Sequence, residues 1–357
     1  MLRKKTVCYL ASAKSIHTKR WATHFSRLGY DVHVVSLDND SIPDVRVHFL
    51  PPPVSFKPLA LLLTLPKIKR ILRKIRPRIL HAHYATSYGV LGALTGFRPL
   101  IITAWGSDVL ILPRKSRMIR RVLLWSFRKA TLITSMAGHM TATLRDLGVD
   151  GQKIITLPFG VDTAVFHPGL RAEAEDIDII CTRPCEPVYN VELLIRSLPQ
   201  IVARYPRLRC VFIGGGLQEQ NLMALAKELG LEAHIQWVGR VSLPDVAKWL
   251  GRAKVFVSPS LSDGNNISLN EAMACGCFPV CTDIPANQEW LKEGDNGYLV
   301  TVDKPEVLAD RVCRALADPK FRTRSAAKNW QIISERGDWN KHMAIMNEFY
   351  VKLMTGT

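Results

Sequence analysis

The sequence predicts an α/β protein of two doubly wound, Rossmann-like lobes facing across a cleft. Three observations point there. The chain has 357 residues, comfortable for two domains with a core each. Short apolar runs alternate with helical segments along both halves, the pattern of a parallel sheet with helices on its faces. A stretch rich in Pro, Gly and acids, Gly160–Glu175, separates the halves. The expected division is a first lobe over residues 1–168 and a second over 169–339. A terminal helix at about 340–357 could return to the first lobe.

In the first lobe, Thr6–Leu10 reads as a buried strand, followed by a small-residue loop and a helix over Lys19–Leu28 that Gly29 closes. Val32–Leu37, Arg78–His83, Leu100–Ala104, Ala130–Thr134 and Lys153–Leu157 are further strands. In the second lobe the strands are Ile177–Cys181, Cys210–Ile213, Ile235–Val238, Val255–Ser258 and Pro279–Thr282. Helices fall over Val191–Tyr205, Gln218–Leu229, Leu243–Leu250, Ser268–Ala274 and Pro305–Ala317. In such sheets ligands bind beyond the carboxyl ends of the strands.

Composition narrows the function classes. No apolar run approaches the about 20 residues of a membrane span. The basic start runs quickly into Lys14, which reads as a first strand rather than a signal peptide. Eight cysteines lie mostly in apolar runs, as small buried hydrophobes do in a reducing compartment, and Cys275, Cys277 and Cys281 lack the paired spacing of a zinc site. No metal site is expected, and the protein is expected in the cytoplasm. No strand is followed by G-x-G-x-x-G and there is no Walker A motif; Gly214-Gly215-Gly216 only brings backbone close to a ligand, which disfavours a dehydrogenase.

The net charge of +17 is concentrated in the first half: residues 1–170 hold 26 Lys and Arg against 8 Asp and no Glu. Such a field suits an anionic partner. Two stretches, Lys67–Arg78 and Arg114–Lys129, interleave cations with apolar residues and Trp125 at helical spacing. They fit an anionic membrane surface, or helices that pack their apolar faces on the sheet. No aromatic platform or known module supports nucleic acid.

The segment from Val255 to Val300 carries the chemistry. A strand ends at Ser258–Pro259, and a loop with Asp263, Gly264, Asn265 and Asn266 leads into a helix. Ser268 with Glu271 three residues on reads as a capping box, and free N–H groups there suit a diphosphate. A carboxylate can chelate vicinal ribose hydroxyls.

Together with four other ordered motifs, this segment resembles the family 4 glycosyltransferases, retaining enzymes of the GT-B fold. The family's E-x7-E stands as Asp263-x7-Glu271, followed by EAMACG and Thr282-Asp283. The other motifs are SIHTKRW at Ser15–Trp21, ILHAHYATSYG at Ile79–Gly89, ITAWGSDV at Ile102–Val109 and LPFGVDTAVFHP at Leu157–Pro168. The resemblance implies that Glu271 binds the donor ribose and that Asp263 contacts hydroxyls of the transferred sugar. Asn265, Asn266, Ile267 and Ser268 would face sugar and diphosphate. His83 would sit near the sugar and the attacking hydroxyl, Arg183 would neutralise the diphosphate, and Ser15 belongs to the first-lobe loop. Gly214 would approach the ligand, and Arg240 with Val241 would seat the nucleobase. Three departures stand out. Asp263 replaces the first Glu, Trp105 replaces a histidine, and Tyr189 stands where the family has a lysine at the diphosphate, a position that Lys14 or Lys19 could serve instead.

The implied activity is transfer of a hexose or N-acetylhexosamine from a nucleotide-sugar, UDP favoured over GDP, to a glycan or lipid-linked acceptor in cell-surface polysaccharide synthesis. The nucleotide-sugar is a co-substrate; no cofactor and no metal are implied. A small soluble acceptor, or a non-catalytic nucleotide-sugar- or membrane-binding protein on the same fold, are the alternatives. The expected location is the inner face of the cell membrane, as a peripheral protein.

Overall fold

The computed structural model describes residues 5–54, 57–171 and 176–356. Residues 172–175 of the expected linker and the first four residues of the basic start lie outside the described residues. The chain forms two compact units. One runs to Pro158 and resumes at Met343; the other is Phe159–His342. Sequence placed the division at 168 instead.

In the first unit seven strands form one parallel sheet: β1 Thr6–Leu10, β2 Asp31–Ser36, β3 Arg46–Phe49, β4 Ile79–His83, β5 Leu100–Thr103, β6 Leu132–Ser135 and β7 Ile154–Thr156. Their order is β3-β2-β1-β4-β5-β6-β7. Strands β1, β4, β5 and β6 are buried along their whole length, as strands covered on both faces must be, which is why they read as mostly apolar or β-branched runs, with His81 and His83 the polar exceptions in β4. The edge strand β3, RVHF, is exposed at both ends, and its polar residues hid it from the sequence pattern.

The second unit holds β8 Ile177–Cys181, β9 Cys210–Ile213, β10 Ile235–Gly239, β11 Ala253–Ser258, β12 Phe278–Thr282 and β13 Tyr298–Val300, ordered β10-β9-β8-β11-β12-β13 and all parallel. One face is covered by the helices Val191–Arg204 and Pro305–Ala317, whose Leu194, Leu198, Leu308 and Val312 pack on Val255, Val257 and Val280. The other face is covered by Leu243–Gly251, Ile267–Ala274 and Pro319–Arg336. The last of these helices was not anticipated. In both sheets the chain leaves the first strand in one direction, then crosses to the other side of it. The crevices lie between β1 and β4 and between β8 and β11, where doubly wound sheets bind ligands.

All eight cysteines are free and buried. Among the described residues no helix is long and apolar enough to cross a membrane. The first basic stretch differs in form from its sequence reading. The apolar Leu59–Leu65 run and the cations after it form one helix, Lys57–Ile75, that carries Pro66 inside it.

The helix Trp339–Thr355 continues from the second unit into the first, where Met343, Met346 and Tyr350 are fully buried. Tyr350 sits in an aromatic nest with Phe25, ring centroids 4.6 Å apart, and its hydroxyl meets Tyr9 Oη at 3.0 Å and His81 Nδ1 at 2.6 Å. His81 Nε2 in turn meets Thr103 Oγ1 at 2.6 Å, so a polar chain crosses the sheet from β1 through β4 to β5. A buried polar chain is stable only when every member is satisfied. Tyr350→Phe strands Tyr9 and His81 together, and is expected to lower stability by about 1–3 kcal/mol in urea titration; an unchanged midpoint would contradict this role.

Candidate active site

The second unit assembles a polar cluster at the carboxyl ends of β8 and β11. Arg183 follows β8 by two residues and is 6% exposed. A buried guanidinium demands partners. Its Nη2 donates to Asp263 Oδ2 at 2.6 Å, and its Nη1 donates to Asn266 Oδ1 at 2.9 Å and Ser268 Oγ at 3.3 Å. The Tyr189 ring stacks 4.0 Å from its Cζ, a cation–π contact on the remaining face. Arg183 Nε has no hydrogen-bond partner among the described residues. Tyr189 therefore holds the cation by its ring at the position where the resemblance places a second cation.

The helix Ile267–Ala274 begins one residue earlier than expected, and its cap is Asn266, not Ser268. Asn266 Oδ1 accepts from Leu269 N at 3.1 Å. Its Nδ2 donates to Ser258 Oγ at 2.9 Å and to Asn287 Oδ1 at 2.8 Å, and Asn287 donates on to the Thr282 carbonyl. These buried partners make Asn266 the cap in place of the expected Ser268, because only the fold supplies Ser258 and Asn287. Ser268 is left with its hydroxyl on Arg183. Asn265 is fixed by Trp290 Nε1, which donates to its Oδ1 at 2.8 Å, while its buried Nδ2 has no partner among the described residues. Ile267 N donates to the Asn265 carbonyl. Glu271, one turn into the helix, is 7% exposed.

Gly214 directly follows β9 with φ of 129°, and a Cβ there would stand 3.2 Å from the Arg183 carbonyl. Gly216 is tighter still: a Cβ would meet the Cys185 carbonyl at 2.5 Å. The triple glycine thus lets β9 close on the Arg183–Cys185 segment. Arg240 is exposed and Val241 half-buried just beyond β10.

The first unit builds its own cluster at the ends of β1 and β4. Ser15 opens the helix Ile16–Arg27, in a loop pinned by Ser12 Oγ to Asp38 at 2.5 Å and by Ala13 N to Ser36 Oγ at 2.9 Å. His83 ends β4, is 1% exposed, and among the described residues has no hydrogen-bond partner on either ring nitrogen. It is walled by Trp21, Tyr9, His81 and Trp105. Trp105, in the place of the family's histidine, lies against both His83 and His17. Lys19 is paired with Asp40 at 2.8 Å.

Asp108 lies in the ITAWGSDV segment, after β5. It is fully buried and accepts from the backbone N–H groups of Ala85, Trp105 and Gly106 at 2.6, 3.0 and 2.9 Å. It fixes both the turn after His83 and the Trp105 loop. Burial pushes its carboxyl up, opposed by those backbone donors. Between them, Tyr84 adopts φ of 73°, an uncommon conformation for a side-chain-bearing residue. Its hydroxyl contacts Ser107 Oγ at 2.9 Å.

Burial, then the neighbouring His17, lowers the His83 pKa from 6.5 to about 3; burial, then Arg20, lowers His17 to about 4. His83 is thus a neutral imidazole at neutral pH, able to exchange one hydrogen bond with a ligand hydroxyl. The sign of the linkage follows. Below pH 6.5 the unfolded chain takes up protons that folded His83 refuses, so stability is complete above 6.5 and declines as pH falls toward 3. For His83 the slope in that window is about 1.4 kcal/mol per pH unit. His83→Phe is expected to flatten the fall in Tm between pH 7 and pH 5; an unaltered slope would contradict the assignment.

With this geometry in view, comparison with known proteins is informative. Residues 6–137 match the family described as glycosyl transferase 4-like, and residues 163–330 match glycosyl transferases group 1. The chain is 30% identical over 196 residues to the phosphatidyl-myo-inositol mannosyltransferase of Mycolicibacterium smegmatis, covering 53% of this chain and 50% of that protein. It thus spans about half the length of that relative. It is 25% identical over 372 residues to the putative glycosyltransferase EpsD of Bacillus subtilis, covering 93% of this chain and 94% of that one. Among solved structures, Anabaena HepE in complex with UDP and glucose superposes with a TM-score of 0.82 at 19% identity, covering 98% of this chain and 100% of that one. Sucrose-phosphate synthase of Thermosynechococcus elongatus does so with 0.82 at 17% identity, covering 99% and 100%. At such identities the structures speak to the fold, two Rossmann-like lobes of the GT-B class. The chain therefore belongs to the group 1, family 4 glycosyltransferases.

Proposed function

We propose that this glycosyltransferase is a retaining, metal-independent enzyme that moves a hexose or N-acetylhexosamine from a UDP-sugar to a glycan or lipid-linked acceptor. The observation that carries the reading is the Arg183 cluster at the β8–β11 crevice. It gathers a buried cation, a capped helix N-terminus and two carboxylates, Asp263 and Glu271, in one place. A departing diphosphate needs such preorganised positive charge. UDP is favoured over GDP because the similar Anabaena protein is solved with UDP and glucose. The mycobacterial relative's name, a phosphatidyl-myo-inositol mannosyltransferase, supports a lipid-linked acceptor but names a different sugar.

In this mechanism the bond from the sugar's anomeric carbon to the diphosphate oxygen breaks as the acceptor oxygen bonds to the same face. The acceptor's proton passes to the leaving phosphate oxygen. Arg183 and the helix N-terminus meet the growing negative charge, Glu271 holds the ribose, and Asp263 orients sugar hydroxyls. Asp263 is ion-paired with Arg183, which suits it to positioning rather than to nucleophilic attack. His83, neutral and without a protein partner, offers one hydrogen bond to the sugar or the acceptor hydroxyl. Among the described residues no group of three or more His, Cys, Asp or Glu is placed to hold a metal, and the proposed charge stabilisation is the chain's own. The setting we infer is cell-surface polysaccharide synthesis by a peripheral protein on the inner face of the membrane, with the basic first unit toward anionic lipid.

One observation favours a second reading, a non-catalytic nucleotide-sugar binder: Tyr189 stands where the family's lysine would. Turnover separates the two. UDP release from a panel of UDP-hexoses and UDP-N-acetylhexosamines is expected with at least one donor, and Glu271→Gln should lower it by about a hundredfold or more. Donor binding without release across the panel, acceptors included, would sink the catalytic reading.

A further inference from the structure

The first unit has a second cavity, at the end of its sheet opposite the crevice. It measures about 910 Å³ and lies at the amino ends of β4 and β5. Doubly wound sheets bind their ligands at the carboxyl ends. His83 closes that other end of β4, about 13 Å along the strand. The donor and acceptor chemistry does not reach this place.

Four cations line the cavity, Lys69, Arg73, Arg76 and Arg98, and no acid does. All four are exposed, and none is ion-paired among the described residues. Lys69, Arg73 and Arg76 follow one another at spacings of four and three on the helix Lys57–Ile75 and its end, which makes one stripe about 10 Å long. Arg98 comes from a separate element, the turn before β5, and faces the same space.

Two helices end here, and cations near a helix carboxyl end answer its dipole. That does not account for the cluster. Among the described residues only Arg73 bonds a helix carbonyl, reaching back to Lys69 at 3.4 Å, and the other three charged heads are left to solvent. The two helix ends also differ. One stops on Gly96 with φ of 74°, the usual residue for a left-handed stop. The other carries Arg76 in that conformation, with φ of 51°, so a guanidinium stands where glycine would be easier. Beneath the cations the floor is apolar, with Leu72 and Pro77 buried and Phe97 half-buried. Charges above such a floor are less screened than charges in open water.

We propose that this cavity binds an oligophosphate, a chain of phosphate groups on a soluble molecule, at a site separate from the crevice. A stripe of three cations faced by a fourth matches an extended anion with several charges better than a single phosphate. Arginine forks suit phosphate oxygens in pairs. The chain could be free polyphosphate or the triphosphate of a nucleotide, which share this chemistry. The inference goes beyond the glycosyltransferase reading and does not rest on it.

The test is calorimetric titration of the full chain, in saturating UDP and at constant ionic strength, with tripolyphosphate, ATP and inorganic phosphate. Tripolyphosphate is expected to bind at one site, about tenfold or more tighter than phosphate. ATP binds at least as tightly if the ligand is a nucleotide, and more weakly if it is free polyphosphate. Arg73→Gln and Arg98→Gln should each weaken tripolyphosphate about tenfold, with Tm and UDP affinity unchanged. Arg120→Gln, exposed on the helix Arg117–Lys129 and outside the cavity, should leave it within about twofold. Equal affinity for phosphate, or an equal loss in Arg120→Gln, overturns the proposal, because the general field of a basic unit would then suffice. Binding that appears only when UDP is left out overturns it too, since the ligand would then occupy the crevice. So does the absence of a tripolyphosphate site together with phosphatidylglycerol-vesicle binding that Arg98→Gln abolishes, which would make the cavity a membrane contact.

Discussion

A cation taken out of water must be answered, and the Arg183 guanidinium organises the second unit's crevice by that requirement. It is 6% exposed, and Asp263 answers it at 2.6 Å. Removing one partner of such a pair leaves an uncompensated buried charge, a loss of about 3–5 kcal/mol. The consequence is geometric. Asp263 belongs to the loop after β11 and Arg183 to the loop after β8, so one ion pair fixes the two lips of the crevice together. Asn266 then serves both ends at once, accepting from Arg183 and capping the helix that carries Glu271. The chain's shortened acid and its missing lysine become parts of one arrangement: Asp263 reaches Arg183, and Tyr189 covers the guanidinium where a second cation would stand.

The two units handle buried polarity differently. In the second, Asn266, Ser258, Asn287, Thr282 and Ser260 form a continuous bonded chain, so the groups at the crevice are held from behind. In the first, Tyr9, Tyr350, His81 and Thr103 are bonded to one another, yet His83 beside them has neither ring nitrogen engaged. Unsatisfied buried polar atoms are costly and uncommon in folded proteins. Both His83 nitrogens, the Arg183 Nε and the Asn265 Nδ2 fall at carboxyl ends of strands, where a ligand would satisfy them.

Much of this was legible in sequence, for identifiable reasons. Strands covered on both faces are largely apolar, so β1, β5, β8 and β11 announced themselves as apolar or β-branched runs, broken in β8 by Asp178 and in β11 by Lys254. Strand β3 did not, being an exposed edge of alternating polar residues, nor did the three-residue β13. The helix Pro319–Arg336 escaped because its many cations dilute its apolar stripe. At the site, the spacing of Asp263 and Glu271 and their resemblance to a family signature located the crevice. Local pattern does not reach farther. Asp263 and Arg183 are 80 residues apart, and nothing periodic links them. The choice of Asn266 over Ser268 as cap depends on Ser258 and Asn287, which only the folded sheet brings near. Asp108 looked like one acid among several until its three backbone donors were in place.

The central claim is that the Arg183–Asp263 crevice is where the nucleoside diphosphate binds. Hydrogen–deuterium exchange in the presence and absence of UDP tests it most directly. The account predicts slowed exchange concentrated in residues 183–190 and 263–271, at the two lips that the ion pair joins. Slowed exchange confined to other segments, with those two unchanged at saturating UDP, would contradict it.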